Sequence, residues 1–133
     1  MADSKQALIA FCPGEDRTEL ANLVLGSGLE PILSPSVIEA TKILTHRPMA
    51  LVFCEVNLPD GSFQDILLAA KATVPRIPVV VICRAGDCDL YMKVLKAGAF
   101  DYIAFPYRHT EVEWIISKAL ERCSLAASAG GPC

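Results

Sequence analysis

The sequence has 133 residues, of which 53% are hydrophobic and 20% are charged, a composition that is typical of one folded domain and excludes a largely disordered chain. Twelve basic against fifteen acidic residues give a net charge of −3, which argues against a nucleic-acid-binding surface because such a surface needs concentrated positive charge. No apolar run reaches the roughly 18 residues of a membrane-spanning helix, and the polar start of the chain lacks the form of a signal peptide. We therefore expect a soluble cytoplasmic domain.

The predicted secondary structure alternates between short apolar runs and longer segments with helical periodicity. Apolar runs without polar alternation are typical of strands in a parallel sheet that is covered on both faces. The helix-length segments show apolar residues three and four positions apart, and Gly28 and Gly98 stand where helices are expected to stop. In chain order, the sequence predicts strand 7–12, helix 15–26, strand 30–34, helix 36–46, strand 49–54, helix 63–73, strand 78–83, helix 87–97, strand 101–105 and helix 110–123.

The last helix carries a start signal of its own. Thr110 and Glu113 have the spacing of a capping box, which predicts that this helix starts at Thr110. Residues 124–133 are small and Gly-rich, and we expect them to form a flexible tail or the start of a linker. One domain is therefore predicted for residues 1–123.

Five strands that alternate with five helices predict a doubly wound α/β domain. Right-handed crossovers bring the carboxyl ends of the strands to one edge of the sheet, where such domains carry their chemistry. The residues at those ends are the candidates for a functional site, namely Phe11, Cys12, Glu55, Cys83 and Phe105.

The six cysteines favour reduced thiols over a disulfide framework or a metal centre. No pair of them has the spacing of a metal-ligating motif. Cys12, Cys54 and Cys83 stand at the ends of apolar runs, where cysteine behaves as a small hydrophobic residue. We expect mostly buried, reduced thiols.

Two stretches of the sequence resemble response-regulator receiver domains. Residues 47–61 resemble the third strand and the following loop of that family, and residues 96–102 with Phe105 and Pro106 resemble its last helix-to-strand junction. The resemblance extends over residues 7–122, and the intervals between the candidate positions are also those of the family. It implies a flavodoxin-like (βα)5 sandwich with five parallel strands in the order 2-1-3-4-5.

The chain departs from the family at every position that the family uses for phosphorylation. Receiver domains hold Mg²⁺ with two acids after the first strand, accept the phosphoryl group on an aspartate, and bind it with a hydroxyl and a lysine. The equivalent positions here are Phe11 and Cys12 for the acid pair (Cys12 and Pro13 if the register slips by one residue), Glu55 for the phosphoacceptor, Cys83 for the hydroxyl and Phe105 for the lysine. The resemblance thus predicts a degenerate receiver domain that is not an enzyme and that uses neither a metal ion nor a cofactor.

Glu55 and Tyr102 each have two interpretations, and Pro106 carries a structural expectation. Glu55 is either a built-in phosphoryl mimic, its carboxylate moved outward by roughly 1.5 Å, or a drifted polar residue at a strand end. Tyr102 matches the aromatic residue that changes exposure when the family switches, and the alternative is an ordinary half-buried strand aromatic. Pro106 matches a family proline that predicts a cis Phe105–Pro106 peptide bond.

The expected function is that of a signalling module that works through protein contacts without phosphorylation. The surface that the resemblance implies consists of helix 87–97, strand 101–105 and helix 110–123, which would bind a protein partner or a second copy. Residues 124–133 leave room for a C-terminal effector domain in a longer chain. Two alternatives stay open, a phosphorelay receiver with a non-standard phosphoacceptor and a ligand or redox sensor that uses a crevice of Cys12, Glu55 and Cys83. We expect no binding to membranes and no direct binding to nucleic acid.

Overall fold

The chain folds as an alternation of strands and helices. The computed structural model describes residues 5–73, 77–84, 88–105 and 107–128, with the backbone alone for residues 16, 83–84, 88–91, 105 and 122–128. The main elements are β1 (Gln6–Ala10), α1 (Glu15–Gly26), β2 (Glu30–Ser34), α2 (Val37–His46), β3 (Leu51–Glu55), α3 (Phe63–Lys71), β4 (Val79–Arg84), α4 (Cys88–Lys96), β5 (Asp101–Phe105) and α5 (His109–Ser128). Within the connection from β3 to α3, Asn57–Leu58 pairs antiparallel with Gly61–Ser62.

The five strands form one parallel sheet in the order β2-β1-β3-β4-β5. This order confirms the predicted doubly wound fold. The register joins Ala10 to both Ser34 and Cys54, and Cys54 to Val81, so the carboxyl ends of the central strands lie at the same edge of the sheet.

The sheet separates two hydrophobic layers, and alternate side chains of each strand enter opposite layers. On β3, Val52 and Cys54 pack with α2, α3 and α4, whereas Leu51 and Phe53 pack with α1 and α5. All four side chains are fully buried, which explains why the sequence of this strand is apolar throughout.

Two glycines end helices as predicted. Gly28, two residues after α1, has a φ of 90°, and Gly98, two residues after α4, has a φ of 107°. This left-handed backbone conformation places a Cβ too close to the backbone in other residues, so glycine is favoured at both positions.

The prediction that the last helix starts at Thr110 is wrong, because α5 begins at His109. The first turn is closed instead by the carbonyl of Arg108, which accepts hydrogen bonds from the N–H groups of Glu111 and Val112 at 3.0 and 3.3 Å. At its other end α5 continues to Ser128, into the segment predicted as a tail. The residues of this extension include Leu125, Ala126 and Ala127, which have good helix propensity.

None of the helices in the described part of the chain combines the length and the apolar character that crossing a bilayer requires.

Candidate functional site

The carboxyl edge of the sheet contains one direct link between two loops. Glu55 is the last residue of β3, and its half-buried side chain points back to the loop that follows β1. The Glu55 Oε1 atom accepts a hydrogen bond from the backbone N–H of Cys12 at 2.7 Å. A carboxylate that accepts a backbone N–H at this distance makes a charge-assisted bond, so Glu55 joins the end of β3 to the β1–α1 loop.

The two residues at the acid-pair positions differ in their environment. Phe11 is 2% exposed and packs in the layer of α1 and α5, and its N–H donates to the Ser34 carbonyl at 3.0 Å. Cys12 is exposed, whereas Cys54 is buried. The prediction of mostly buried thiols is therefore right for Cys54 and wrong for Cys12, because β1 ends at Ala10 and Cys12 lies beyond the edge of the sheet.

The thiols near Glu55 are held in their protonated form. Partial removal from water raises the pKa of Cys12, and the neighbouring Glu55 carboxylate raises it further, while Arg17 opposes both effects. Complete burial raises the pKa of Cys54, and Glu55 adds to this shift. Because the thiolate is the nucleophile and the metal ligand, neither thiol is prepared for those roles at neutral pH.

Two more candidate positions share this edge of the sheet. In the register of β4 and β5, Cys83 pairs with Ala104 and Arg84 pairs with Phe105. The side chains of Cys83 and Phe105 lie outside the described residues, as does Pro106 with its predicted cis bond. The roles assigned to these three residues remain predictions.

The described residues at this edge do not fit a magnesium ion, which needs oxygen ligands in an octahedral arrangement. Phe11 offers an apolar ring and Cys12 a protonated thiol, while Glu55 Oε1 already accepts the Cys12 N–H. Across the described side chains, no group of three His, Cys, Asp or Glu residues is arranged to hold a metal ion.

Asp60 is a residue of this edge that the sequence analysis missed. Its two carboxylate oxygens accept the N–H groups of Val37 and Ile38 at 2.7 and 3.0 Å, which joins the β3–α3 connection to the start of α2. The Val37 bond in particular lowers the pKa of Asp60, and partial desolvation opposes this shift. The available signal was an acid in the turn Pro59-Asp60-Gly61, since carboxylates bind at helix N-termini, but the sequence does not show which helix is near.

The rest of the β3–α3 connection is also held by hydrogen bonds. The N–H of Phe63 donates to the Val56 carbonyl at 3.0 Å. Ser62 and Asp65 form a capping box at the start of α3. The Asp65 carboxylate accepts the backbone N–H of Ser62 at 3.1 Å, and the Ser62 hydroxyl oxygen accepts a backbone N–H of the first turn. The loop after Glu55 is thus tied to both α2 and α3.

Tyr102 lies on β5, opposite Val81 of β4. Its side chain is partly buried against the layer of α2, α3 and α4, and its N–H donates to the Asp101 carboxylate at 2.8 Å. The switching role that the resemblance implies for this residue remains a prediction.

Comparisons with known proteins identify the family of this domain. The response regulator protein PilR of Pseudomonas aeruginosa is 30% identical over 118 residues, which cover 88% of this chain and 26% of PilR. An NtrX-like response regulator of Rickettsia bellii is 29% identical over 108 residues, or 79% of this chain and 22% of the relative. The chain therefore spans about a quarter of the length of these curated relatives.

A solved structure of similar length is also that of a receiver domain protein. The response-regulator receiver domain protein from Clostridium thermocellum superposes with a TM-score of 0.81 at 25% identity, over 91% of this chain and 98% of that one. No model of a protein family matches the sequence. With the strand order of a receiver domain and relatives that are response regulators, the chain belongs to the response-regulator receiver domains of two-component signalling.

Proposed function

We propose that this receiver domain signals without being phosphorylated, is not an enzyme, and acts through protein–protein contacts. The observation that carries the proposal is the 2.7 Å hydrogen bond between Glu55 Oε1 and the Cys12 N–H. The β1–α1 loop and the end of β3, which the family connects through a metal ion, are connected here by protein atoms.

The chemistry of phosphoryl transfer supports this proposal. The reaction depends on positioning and on neutralising the charge of the phosphoryl oxygens. Removing one fixed electrostatic group typically costs about 10²–10³ in rate. This chain replaces the acid pair by Phe11 and Cys12, the hydroxyl by Cys83 and the lysine by Phe105. The groups that would hold the metal ion or bind the phosphoryl oxygens are thus absent from their expected positions.

Glu55 provides a permanent negative charge at the phosphoacceptor position. Because its carboxylate bonds to the backbone of the neighbouring loop, the charge holds that loop in one arrangement without any covalent modification. This arrangement supports the mimic interpretation of Glu55 over a drifted, purely solvated side chain.

The proposed contact surface consists of α4, β5 and α5. His109 on α5 is 3.3 Å from Glu19 of α1, which shows the side of α5 that faces α1. Trp114 follows five residues later, about 140° around the helix, and therefore lies on the flank away from α1. Trp114 and Met92 of α4 expose 59% and 52% of their surface, and such large exposed apolar groups favour a contact surface.

The partner is a protein domain, either a second copy or an effector that follows in a longer chain. The relatives support the second arrangement because they extend well beyond the length that matches this chain. The free thiols of Cys12 and Cys54 are compatible with a reducing cytoplasm, which we propose as the compartment. Sedimentation of the domain over a range of concentrations separates a second copy from a different partner.

The decisive experiment is incubation with a small phosphodonor and Mg²⁺, followed by intact-mass spectrometry. We expect no added phosphoryl mass, whereas a phosphorylatable receiver domain treated in the same way gains one and serves as the control. A stoichiometric adduct would refute the proposal. Peptide mapping of such an adduct would identify the residue used and would establish the alternative of a non-standard phosphoacceptor.

The alternative of a redox or ligand sensor has less support. Cys12 is accessible, but the raised pKa of its thiol lowers the fraction of reactive thiolate. Titration of the native protein with a thiol reagent and metal analysis test this alternative directly.

A further inference from the structure

At the end of α4, the backbone carbonyl of Ala97 receives no hydrogen bond from its own helix. The N–H groups of Gly98 and Ala99 donate to the carbonyls of Leu95 and Val94 at 3.1 and 3.3 Å, which is the hydrogen-bond pattern of a Schellman motif. Ala97 precedes the glycine with the positive φ, so its own carbonyl lies past the last intrahelical bond.

A lysine of another helix binds this carbonyl. Lys71, the last residue of α3, donates from its Nζ to the Ala97 carbonyl oxygen at 2.6 Å. The contact is favoured twice, since the donor is charged and since the carbonyl end of a helix carries negative partial charge.

Gly98 makes room for the lysine. A Cβ at residue 98 would lie 2.7 Å from Lys71 Cε and 2.9 Å from Nζ. Glycine is favoured at this position by its positive φ, and a Cβ here would displace the flexible end of the Lys71 side chain.

We infer that Lys71 is a positioning residue that ties the α4–β5 turn to α3 and thereby sets the position of the α4 end of the contact surface. The inference rests on the proposed function only for the use of that surface. The turn is otherwise anchored through the sheet side, where the N–H of Phe100 donates to the Val79 carbonyl at 2.7 Å, and through Val94, which is fully buried. Among the described residues, Lys71 adds a hydrogen bond to this turn from α3, beside the packing of Ala97 and Ala99 against the layer of α2, α3 and α4.

The test is site-resolved amide hydrogen exchange on the whole domain. Lys71→Met keeps most of the apolar stem and removes the charged donor, and we expect the amides of Gly98 and Ala99 to exchange about three- to tenfold faster. Lys71→Arg restores a cationic donor and should return the rates towards those of the wild type. Lys42→Met is the matched control, because Lys42 is an exposed lysine on α2 whose ammonium group has no hydrogen bond among the described residues.

Two results would overturn the inference. One is unchanged exchange of Gly98 and Ala99 in Lys71→Met, or a change equal to that in Lys42→Met. The other is an equal acceleration throughout the domain with a matching fall in global stability by urea unfolding, which indicates a general loss of stability. The exchange rates are measured on the unphosphorylated wild type and variants, and the phosphodonor experiment tests the proposed function separately, so the two failures are distinguishable.

Discussion

At the scale of single residues, Glu55 affects both the backbone and the thiols next to it. Its carboxylate binds the Cys12 N–H and acts on the pKa of both neighbouring thiols. One side chain therefore combines a structural link with an electrostatic effect, and the two are separable by substitution.

Glu55→Gln keeps an oxygen acceptor for the Cys12 N–H and removes the negative charge. Because that charge raises the pKa of Cys12, we expect the pKa of the Cys12 thiol to fall and its alkylation below that pKa to become severalfold faster. The measurement is the rate of alkylation against pH, with peptide mapping to separate Cys12 from the other cysteines. Glu39→Gln, on α2, is the control, and an unchanged or raised Cys12 pKa in Glu55→Gln would contradict the assignment.

Asp60 shows how a residue can join two elements that are distant in the sequence. Its hydrogen bonds to Val37 and Ile38 lower its pKa in the folded state relative to the unfolded chain. Its contribution to stability is therefore present above the unfolded pKa of about 3.9 and is lost as the pH falls through the folded value.

For Asp60→Asn we expect a lower melting temperature than that of the wild type at pH 6. This difference should shrink as the pH approaches 2, because the wild-type side chain is then also uncharged. Thermal unfolding followed by circular dichroism over this pH range provides the measurement. A difference that is constant with pH would show that the carboxylate charge is not the stabilising feature.

At the scale of elements, the β3–α3 connection packs closely against α2 at Gly61. A Cβ on this residue would lie 2.9 Å from Val37 Cγ2 and would also meet the Asp65 carboxylate. The glycine is needed here for space, since its φ is not in the left-handed region.

Gly61→Ala should lower the free energy of unfolding by about 1–3 kcal/mol through overpacking. Gly14→Ala is a matched control, because nothing lies within 4 Å of a Cβ at Gly14 and its φ of 161° is extended backbone. Urea unfolding of both variants gives the comparison. Equal stabilities would mean that the loop moves away from α2 at little cost.

At the scale of the whole molecule, stability comes from two layers on a sheet that is covered on both faces. The central strands supply many of the residues with no exposed surface, such as Leu8 on β1, whereas Leu33 on the edge strand β2 is 44% exposed. The same residue type should therefore contribute very differently at the two positions.

Leu8→Ala should cost about 2–5 kcal/mol because it leaves a cavity in a closed layer. Leu33→Ala removes the same atoms from a partly solvated position and should cost less than about 1 kcal/mol. Denaturant unfolding of the two variants measures this difference, and similar costs would contradict the layer arrangement.

Much of the architecture was predictable because it depends on local patterns. Apolar runs such as residues 78–83 predict buried parallel strands, and the glycines at 28 and 98 predict helix ends, since both signals act over a few residues. The predicted start of α5 at Thr110 is one residue too late. A Thr-x-x-Glu pattern is only one of several ways to begin a helix, and here the Arg108 carbonyl accepts the N–H groups of the first turn. The length of α5 beyond residue 123 depends on helix propensity, which the Gly-rich composition of the tail obscured.

The sequence by itself determined the fold class, the strand order through the family resemblance, and which side chains stand at the carboxyl ends of the strands. Only the tertiary structure decided what those side chains touch, because contacts such as Glu55 with Cys12, Asp60 with α2 and Lys71 with Ala97 join residues that are 22 to 43 positions apart. Periodicity reports the environment of a residue along its own element, whereas a hydrogen bond between elements depends on distances and directions that are fixed only when the layers pack.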